Sequence, residues 1–424
     1  MKDEADVKRS ASGAYAWVIL AISVLIVFLV SGARSGFTVF VAPMERELGW
    51  DRASVSAAAA LNLAVYGATQ PLAGIFTSRF GVKRVLIGGT TLVATGFGGL
   101  FWVDSVWYLS LFYGVIFGIG ISFASLIPAS VLVARWFSHR QGLTQGMVAA
   151  ARPAGQILFV PVVAALILGF GWRTSYLLTG LFVALAIPLI YWLVRERPSG
   201  ESNGSARSPP IGTDAELENH HRLHTAQRSF VFWALAVGFF TCGFTDQFVA
   251  LHLVPFAEGA GVPGVAAANL FALLSAAGVF GSLVSGWLSD VFSPKHCLVL
   301  AYGLRVLAFP MLLLFMVEAN VLWLVSFAII FGLTFIANMA PAVRIVRDTY
   351  GMEATGRLIG WLLFGHQIGG AAGTYLGGLI YKETHSYELA FILMILVAFL
   401  GVCFTIHLRP WQQVNPHRTA ETSR

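Results

Sequence analysis

The chain has 424 residues, of which 57% are hydrophobic and 11% are charged, and its mean hydropathy is +0.75. Soluble domains carry about 25% charged residues, so this composition excludes a water-soluble globule and predicts an integral membrane protein. The net charge of +6 comes without a basic patch interleaved with aromatic residues, which argues against binding to nucleic acid.

Twelve apolar segments of membrane-spanning length follow one another along the chain. Each can cross a hydrocarbon core of about 30 Å, and because backbone polar groups must bond inside the segment, segments of this length predict helices. They are expected at 15–41, 54–75, 84–103, 106–133, 143–168, 174–194, 230–255, 265–288, 297–317, 320–343, 358–381 and 387–408. The predicted fold class is an all-α membrane protein with twelve transmembrane helices.

Lysine and arginine residues are distributed unevenly between alternate loops. Of the 27, twenty fall on the side of the two termini, and four fall on the other side, namely Arg46, Arg52, Arg173 and Lys382. Cytoplasmic loops carry an excess of Lys and Arg, so both termini are expected in the cytoplasm, in a bacterial cytoplasmic (inner) membrane. The charged N-terminus leads straight into a segment too long for a signal-peptide core, and no cleaved leader is expected.

A polar stretch separates the sixth predicted helix from the seventh. Residues 195–229 are rich in Ser, Pro, Gly, His and charge, which is typical of a flexible linker. The expected domains are therefore 1–194 and 230–424, with six helices each. Similar residues recur at an offset of 212 and predict two pseudo-symmetric halves: Pro43 and Pro255, Gly74 and Gly286, Ser122 and Thr334, Phe123 and Phe335, and Arg135 and Arg347.

Two charged residues at equivalent places in these halves are the first site candidates. Arg34 and Asp246 lie 212 residues apart inside predicted helices, where a charge costs about 2.5–3.5 kcal/mol on insertion scales. A pair between them would either fix one conformation or couple substrate binding to closure. In the coupled case Asp246 accepts a proton, or Arg34 exchanges Asp246 for a substrate carboxylate.

A second pair is expected near the middle of the membrane. Arg152 on the fifth helix is equivalent to His366 on the eleventh at an offset of 214. Arginine offers a fork for a carboxylate and histidine titrates near neutral pH, although a hydrogen-bonded core role is the alternative for His366. Arg305 is set aside, because an arginine two turns inside a helix can snorkel to the interface. Four polar residues are expected to shape the pocket, although interhelical hydrogen bonds explain them equally well: Tyr66, Gln70, Asn338 and Gln367.

No cofactor or metal is expected. Cys242, Cys297 and Cys403 lie in or beside predicted helices without CxxC spacing or histidine partners, which favours a role as small buried hydrophobes. The predicted helices also lack the nucleophile and metal motifs of an intramembrane enzyme, so the chain is predicted not to be an enzyme.

The loop after the second helix carries a recognisable signature. Residues 74–84 read GIFTSRFGVKR and resemble the loop signature of the major facilitator superfamily, and the copy at 286–295 reads GWLSDVFSPK. Ser78 stands at the position where the signature usually has an acidic residue. The resemblance implies two pseudo-symmetric six-helix domains and a conformational gate formed by Gly74, Arg79, Gly81, Arg84, Gly286 and Asp290. The glycine would form the tight turn and the charges would lock the domains on the cytoplasmic side.

Two further stretches resemble the monocarboxylate transporters and their bacterial relatives. They are residues 13–17, GAYAW, and residues 136–146, WFSHRQGLTQG. The arginine that pairs with the substrate carboxylate in that family falls at Ser282, and the family's membrane lysine falls at Ser35, beside Arg34. The usual anion anchor is therefore missing from its place.

The sequence thus predicts a secondary active transporter that moves a small organic anion, of the monocarboxylate or aromatic acid type, by proton-coupled alternating access. Its expected partners are the substrate, protons and the lipid bilayer, and the chain is expected to act as a monomer in symport. Excess positive charge in the predicted helices favours an anion. The alternative is an importer or exporter of a larger neutral or amphipathic metabolite, with the buried charges acting as gates.

Overall fold

A computed structural model of the chain describes residues 2–50, 52–137, 140–195, 226 and 228–408. These described residues are helical and contain no β-strand. The chain divides into two units, Met1–Ser208 and Pro209–Arg424. The expected linker at 195–229 lies almost entirely outside the described residues, so its flexibility stays a prediction.

Unit 1 contains six helical segments, which we call spans 1 to 6. They are Lys2–Leu48, Arg52–Phe80, Val82–Trp102, Val106–Trp136, Gln141–Phe170 and Trp172–Leu193. Unit 2 repeats this order with spans 7 to 12. They are Phe230–Gly259, Gly264–Val291, Pro294–Glu318, Val321–Tyr350, Met352–Thr384 and Glu388–Ile406. The twelve predicted helices are all present, and most extend beyond the apolar segment because polar residues continue the helix at its ends.

Ten helices of the described residues are long and apolar enough to cross a membrane by length and composition alone. The other two are spans 2 and 11, with 29 and 33 residues. They are long enough, but amide and hydroxyl residues and many glycines reduce their hydropathy. Asn62 and Gln70 in span 2 and Gln367 in span 11 are examples, and all three are buried. Polar residues facing inward are typical of helices that line a cavity.

Spans 4 and 10 are both interrupted, and the interruptions fall at equivalent positions. Span 4 breaks at residues 124 and 125, and span 10 breaks at residues 335–338. Each second half carries a proline at its third residue, Pro128 and Pro341. A proline lacks the N–H group and clashes with the carbonyl four residues earlier, which accounts for the loss of helix at these places. Unwound carbonyls become available as ligands for other groups.

Close helix packing joins span 1 to span 5 and span 7 to span 11, the most extensively packed pair in each unit. Gly155 faces the carbonyl oxygen of Phe28, and the equivalent Gly369 faces the carbonyl oxygen of Phe240. A Cβ atom at either glycine would overlap that oxygen. The glycines therefore let the backbones approach closely and bring the charged residues of each pair together.

Candidate functional site

Arg34 and Arg152 of unit 1 form the first cluster. Span 1 carries Arg34 and span 5 carries Arg152, and these two spans pack against each other. Both side chains are partly buried. Within the described part of the chain, neither forms an ion pair with a carboxylate. Two cations on packed helices, neither balanced by a carboxylate, are a favourable place for an anion.

An aromatic side chain lies against Arg34, and a stacked pair of rings includes Phe37 on the same span. The guanidinium carbon of Arg34 lies 4.7 Å from the ring centroid of Tyr66, which is a cation–π contact. Tyr113 stacks on Phe37 with 3.6 Å between the ring centroids. Gln70 is buried nearby in sequence on span 2, and its Oε1 atom has no hydrogen-bond partner among the described residues. Arg34 therefore lies against an aromatic ring, and a buried amide stands one helical turn further along the span that carries that ring.

Asp246 of unit 2 has a different counterion from the one expected. Its Oδ1 atom lies 2.7 Å from a guanidinium nitrogen of Arg305. The expectation that Arg305 snorkels to the interface is wrong, since only 1% of its side chain is exposed. Arg305 also donates to Thr245 Oγ1 at 2.7 Å and to Cys242 O at 3.2 Å. The interrupted span 10 supplies two further acceptors, the carbonyl oxygens of Thr334 and Phe335, at 2.7 and 3.3 Å. The arginine is thus fully enclosed by acceptors, which offset the cost of burying it.

The second oxygen of Asp246 faces a thiol and an imidazole. Cys242 Sγ donates to Oδ2 across 3.3 Å, and His366 Nε2 lies 3.4 Å from the same atom. On its other side, His366 Nδ1 lies 3.1 Å from Oε1 of Gln367. Cys242 is therefore a hydrogen-bond partner and more than a small hydrophobe. The equivalent residues of the two units lie on equivalent packed helices, Arg34 and Arg152 on spans 1 and 5, and Asp246 and His366 on spans 7 and 11.

Cys242, Asp246 and His366 could also approach one cation. Their ligand atoms all lie within 4.8 Å of one another. Arg305 occupies the other carboxylate oxygen, so a cation would have to bind beside a guanidinium group. This positive charge favours a proton over a divalent metal at the same place. The expected absence of a metal stays a prediction.

Two further polar candidates lie at the break in span 10 or beside the break in span 4. Asn338 is buried, and it immediately precedes the second half of span 10. Tyr66 accepts a hydrogen bond at its carbonyl oxygen from Ser122, next to the break in span 4. Their roles in shaping a pocket stay predictions.

The predicted gate residues of unit 2 lie at the end of span 8. Gly286 is buried, and Asp290 Oδ1 lies 3.9 Å from a guanidinium nitrogen of Arg344 in span 10. Arg344 also donates to the carbonyl oxygen of Ser289 and lies 3.7 Å from Asp348. These contacts join spans 8 and 10 within the unit.

The predicted gate residues of unit 1 are arranged differently. Gly81 has φ +87°, a conformation that glycine adopts without strain, and it ends the turn before span 3. Gly74 is buried, and the guanidinium of Arg79 lies over the ring of Phe80. Ser78, which stands at the place of the usual acid, donates to the carbonyl oxygen of Ile75 on its own helix. Arg84 is exposed. Whether either set acts as a gate stays a prediction.

The family model of the Major Facilitator Superfamily matches residues 23–342 and 270–423. The chain belongs to the Major Facilitator Superfamily. It is 27% identical over 399 residues to the uncharacterized MFS-type transporter YcxA of Bacillus subtilis (strain 168), covering 93% of this chain and 95% of that protein. It is also 27% identical over 268 residues to the oxalate:formate antiporter of Oxalobacter formigenes, covering 60% of each.

Human monocarboxylate transporter 11 is 26% identical over 399 residues, with 90% of this chain and 80% of that protein covered. The crystal structure of the superfamily transporter FucP in the outward conformation matches with a TM-score of 0.72 at 16% identity, covering 92% of this chain and 99% of that one. This superfamily member therefore has the all-α fold of the family, is related to monocarboxylate transporters, and is a membrane transporter rather than an enzyme.

The sequence contained a signal for one of the two site residues that it did not assign. Cys242 stands four residues before Asp246 on a helix, a spacing that places both on one face. Arg305 gave no such signal, because its partners lie 29 to 63 positions away along the chain.

Proposed function

We propose that this superfamily transporter carries a small organic anion, of the monocarboxylate or aromatic acid type, and that Arg34 and Arg152 bind its carboxylate. One observation carries the proposal. Two arginines lie on the most extensively packed pair of helices in unit 1, and neither has a carboxylate partner among the described residues. A substrate carboxylate supplies the negative charge that the cluster lacks, and the planar guanidinium fork suits its two oxygens.

Tyr66 and the stacked Phe37 and Tyr113 support a short aliphatic or aromatic substituent on the anion. Their rings give the cluster an apolar surface beside its cations. Two relatives, the oxalate:formate antiporter and monocarboxylate transporter 11, are named for carboxylates, which supports this choice.

Unit 2 supplies the group that we propose for proton coupling. Both ring nitrogens of His366 face oxygen acceptors, Asp246 Oδ2 and Gln367 Oε1. Only a protonated imidazole can donate to both, whereas a neutral ring has one donor and one acceptor. A flip of the Gln367 amide would present its Nε2 group instead, which lacks a hydrogen-bond partner among the described residues. The two amide orientations would then match the two charge states of His366.

The orientation belongs to the same proposal. Both termini would lie in the cytoplasm of a bacterium, with the chain in the inner membrane as a monomer, because basic residues concentrate in the loops of that side.

A flux measurement on the full chain in proteoliposomes tests the carboxylate site. Uptake of radiolabelled lactate, benzoate and oxalate would be compared with uptake of a neutral aromatic solute. Arg152→Gln is expected to lower kcat/KM for the transported acid by about tenfold to a hundredfold, the value of one charged hydrogen bond. Arg173→Gln is the matched control. Arg173 forms an ion pair of 3.1 Å with Glu47 and does not belong to the cluster. Equal uptake by Arg152→Gln and the control would contradict the proposal.

Proton coupling needs a second measurement on the same vesicles. An inward proton gradient is expected to drive accumulation of the anion by the wild type. His366→Gln is expected to abolish this dependence on the gradient, while exchange of the anion continues when the pH is equal on both sides. His252→Gln serves as the control, because His252 is a buried histidine of span 7 whose partners are Tyr387 and the carbonyl oxygen of Thr374. Gradient-driven accumulation that survives in His366→Gln would assign the proton to another residue.

A further inference from the structure

The hydroxyl group of Ser122, next to the break in span 4, joins that span to span 2. Its Oγ atom donates to the carbonyl oxygen of Tyr66 at 2.8 Å and lies 2.7 Å from Thr69 Oγ1. Thr69 can donate either to Ser122 or to the carbonyl oxygen of Val65 on its own span. In the first case the hydroxyl groups form one chain that ends on the Tyr66 carbonyl, and each bond strengthens the next. Ser122 is fully buried, so water does not compete for this chain.

A proline weakens span 2 just after Tyr66. Pro71 lies inside this helix. It has no N–H group for the carbonyl oxygen of Gly67, four residues earlier, and its ring crowds that oxygen. Asn62, one turn before Tyr66, donates its side-chain amide to the carbonyl oxygen of Tyr113 in span 4 at 2.7 Å. Span 4 therefore holds span 2 at Tyr66 and one turn earlier, beside the place where the helix loses its own bonding.

The two tyrosines of this contact both reach the same turn of span 1. The ring of Tyr66 lies 4.7 Å from the guanidinium carbon of Arg34. The ring of Tyr113 stacks on Phe37, three residues after Arg34. The face of an aromatic ring attracts a guanidinium group without accepting a conventional hydrogen bond, and the N–H donors of arginine lie in the plane of that group. The Tyr66 ring therefore restrains Arg34 while leaving donors for a carboxylate.

Unit 2 has the equivalent break but neither this ring nor this bond. At the offset of 212, Gly278 stands at the position of Tyr66 and has no ring to present. Thr334 stands at the position of Ser122, and its hydroxyl group donates to a carbonyl oxygen of its own span. An interrupted span does not by itself require the bond that Ser122 makes. The bond accompanies the ring and not the break.

We propose that Ser122 is a positioning residue of the anion site, which holds the ring of Tyr66 against Arg34. The inference rests on the proposed function, because that function assigns Arg34 to the carboxylate of the substrate. Without the Ser122 hydroxyl group, the turn that carries Tyr66 loses its bond to span 4, and the ring no longer fixes the guanidinium group. Arg34 must then be ordered each time that an anion binds, so the cost falls on binding of the anion and not on the later steps of transport.

Uptake by the full chain in proteoliposomes tests this role, with whichever of radiolabelled lactate, benzoate and oxalate the wild type carries. Ser122→Ala is expected to raise KM by about threefold to tenfold, the effect of one hydrogen bond, with kcat within about twofold of the wild type. Ser122→Thr keeps a hydroxyl group and is expected to recover most of the affinity. Ser130→Ala is the matched control, because Ser130 is a buried serine of span 4 whose hydroxyl group has no hydrogen-bond partner among the described residues.

A double-mutant cycle separates positioning from a general loss of structure. Tyr66→Leu removes the ring and is expected to raise KM at least as much as Ser122→Ala does. Because Ser122 acts through that ring, adding Ser122→Ala to Tyr66→Leu should change KM by less than about twofold. Two results would overturn the proposal. Ser122→Ala could have the KM of the control, or the two effects could multiply in the double variant.

Two further comparisons keep the result decisive. If Ser122→Ala does not fold, Ser122→Cys takes its place, since a thiol is a weaker donor; KM should rise by about twofold to threefold, and an unchanged KM would refute the role of the hydroxyl group. Failure of the proposed function is distinguishable, because Arg34→Gln would then leave KM unchanged. If Arg34→Gln raises KM while the Ser122 variants do not, the anion site stands and the role of Ser122 is wrong.

Discussion

Replacing Arg305 by methionine removes the guanidinium group that joins spans 7, 9 and 10. In the wild type this group donates to Asp246, Thr245 and Cys242 on span 7 and to two carbonyl oxygens of span 10. Methionine fills most of the volume but leaves Asp246 as a buried carboxylate without its cation. We therefore expect the variant to lower the stability of unit 2.

The magnitude follows from the charge that is left behind. Breaking a buried ion pair by removing one partner costs about 3–5 kcal/mol, whereas removing both partners together is often close to neutral. For a unit of about 200 residues, 1 kcal/mol corresponds to about 2–4 °C in Tm, so Arg305→Met is expected to lower Tm by roughly 6–20 °C. Arg305→Met/Asp246→Asn should recover at least half of that loss, because no buried charge remains.

Thermal unfolding of the detergent-solubilised chain, followed by far-UV circular dichroism, measures these shifts. Arg305→Lys is the intermediate case, because it keeps the charge but loses the planar fork that reaches Asp246 and span 10 together. The reasoning would be refuted by an Arg305→Met variant within about 2 °C of the wild type. It would equally be refuted by a double variant as unstable as the single one, since the loss would then come from packing and not from charge.

Three smaller changes test other parts of the fold by the same unfolding measurement. Gly369→Ala places a Cβ against the Phe240 carbonyl oxygen and is expected to cost about 1–3 kcal/mol, and a wild-type Tm would contradict the close packing of spans 7 and 11. Gly81→Ala forces φ +87° and ψ +154° on a residue with a side chain and is expected to cost about 1–3 kcal/mol, so an unchanged Tm would argue against that turn. Hydrogen bonding from Trp172 holds the pKa of Glu47 below its ordinary value of 4.5. The stabilisation is present above that pH and is lost as pH falls through the lowered pKa, so the Tm difference between wild type and Glu47→Gln should disappear in acid.

The helices were predictable from sequence because membrane-spanning length and apolarity are local properties. The repeat was also predictable, and it placed Arg34 and Arg152 at sites equivalent to Asp246 and His366. The residues with which each buried charge pairs were not predictable. A pattern cannot tell whether an arginine inside a helix points to the interface or across to another helix, and for Arg305 the second alternative holds.

The unwound segment of span 10 explains why the partners of Arg305 could not be predicted from the sequence pattern. Besides its partners on span 7, Arg305 is stabilised in the interior by the break at residues 335–338, where carbonyl oxygens of span 10 accept from it. Pro341 signals the break, but no sequence rule connects it to an arginine 36 positions earlier. The position 212 residues before Arg305 is Val93, so unit 1 has no equivalent guanidinium.

Because of this difference, the two units are suited to different tasks, although the repeat alone would predict the same task for both. In unit 2 the charge of Asp246 is balanced by Arg305, so a proton on His366 adds positive charge to a neutral pair. In unit 1 both equivalent positions are arginines, and negative charge must come from outside the cluster.

Under the proposed function, variants of Arg34 and Arg152 should therefore raise KM for the anion without moving the pH dependence of transport. Variants of His366 should move the pH dependence and leave KM at a fixed pH nearly unchanged. Flux measured over a range of pH distinguishes the two, and a shift of both quantities by either set would mean that the units do not divide the work in this way.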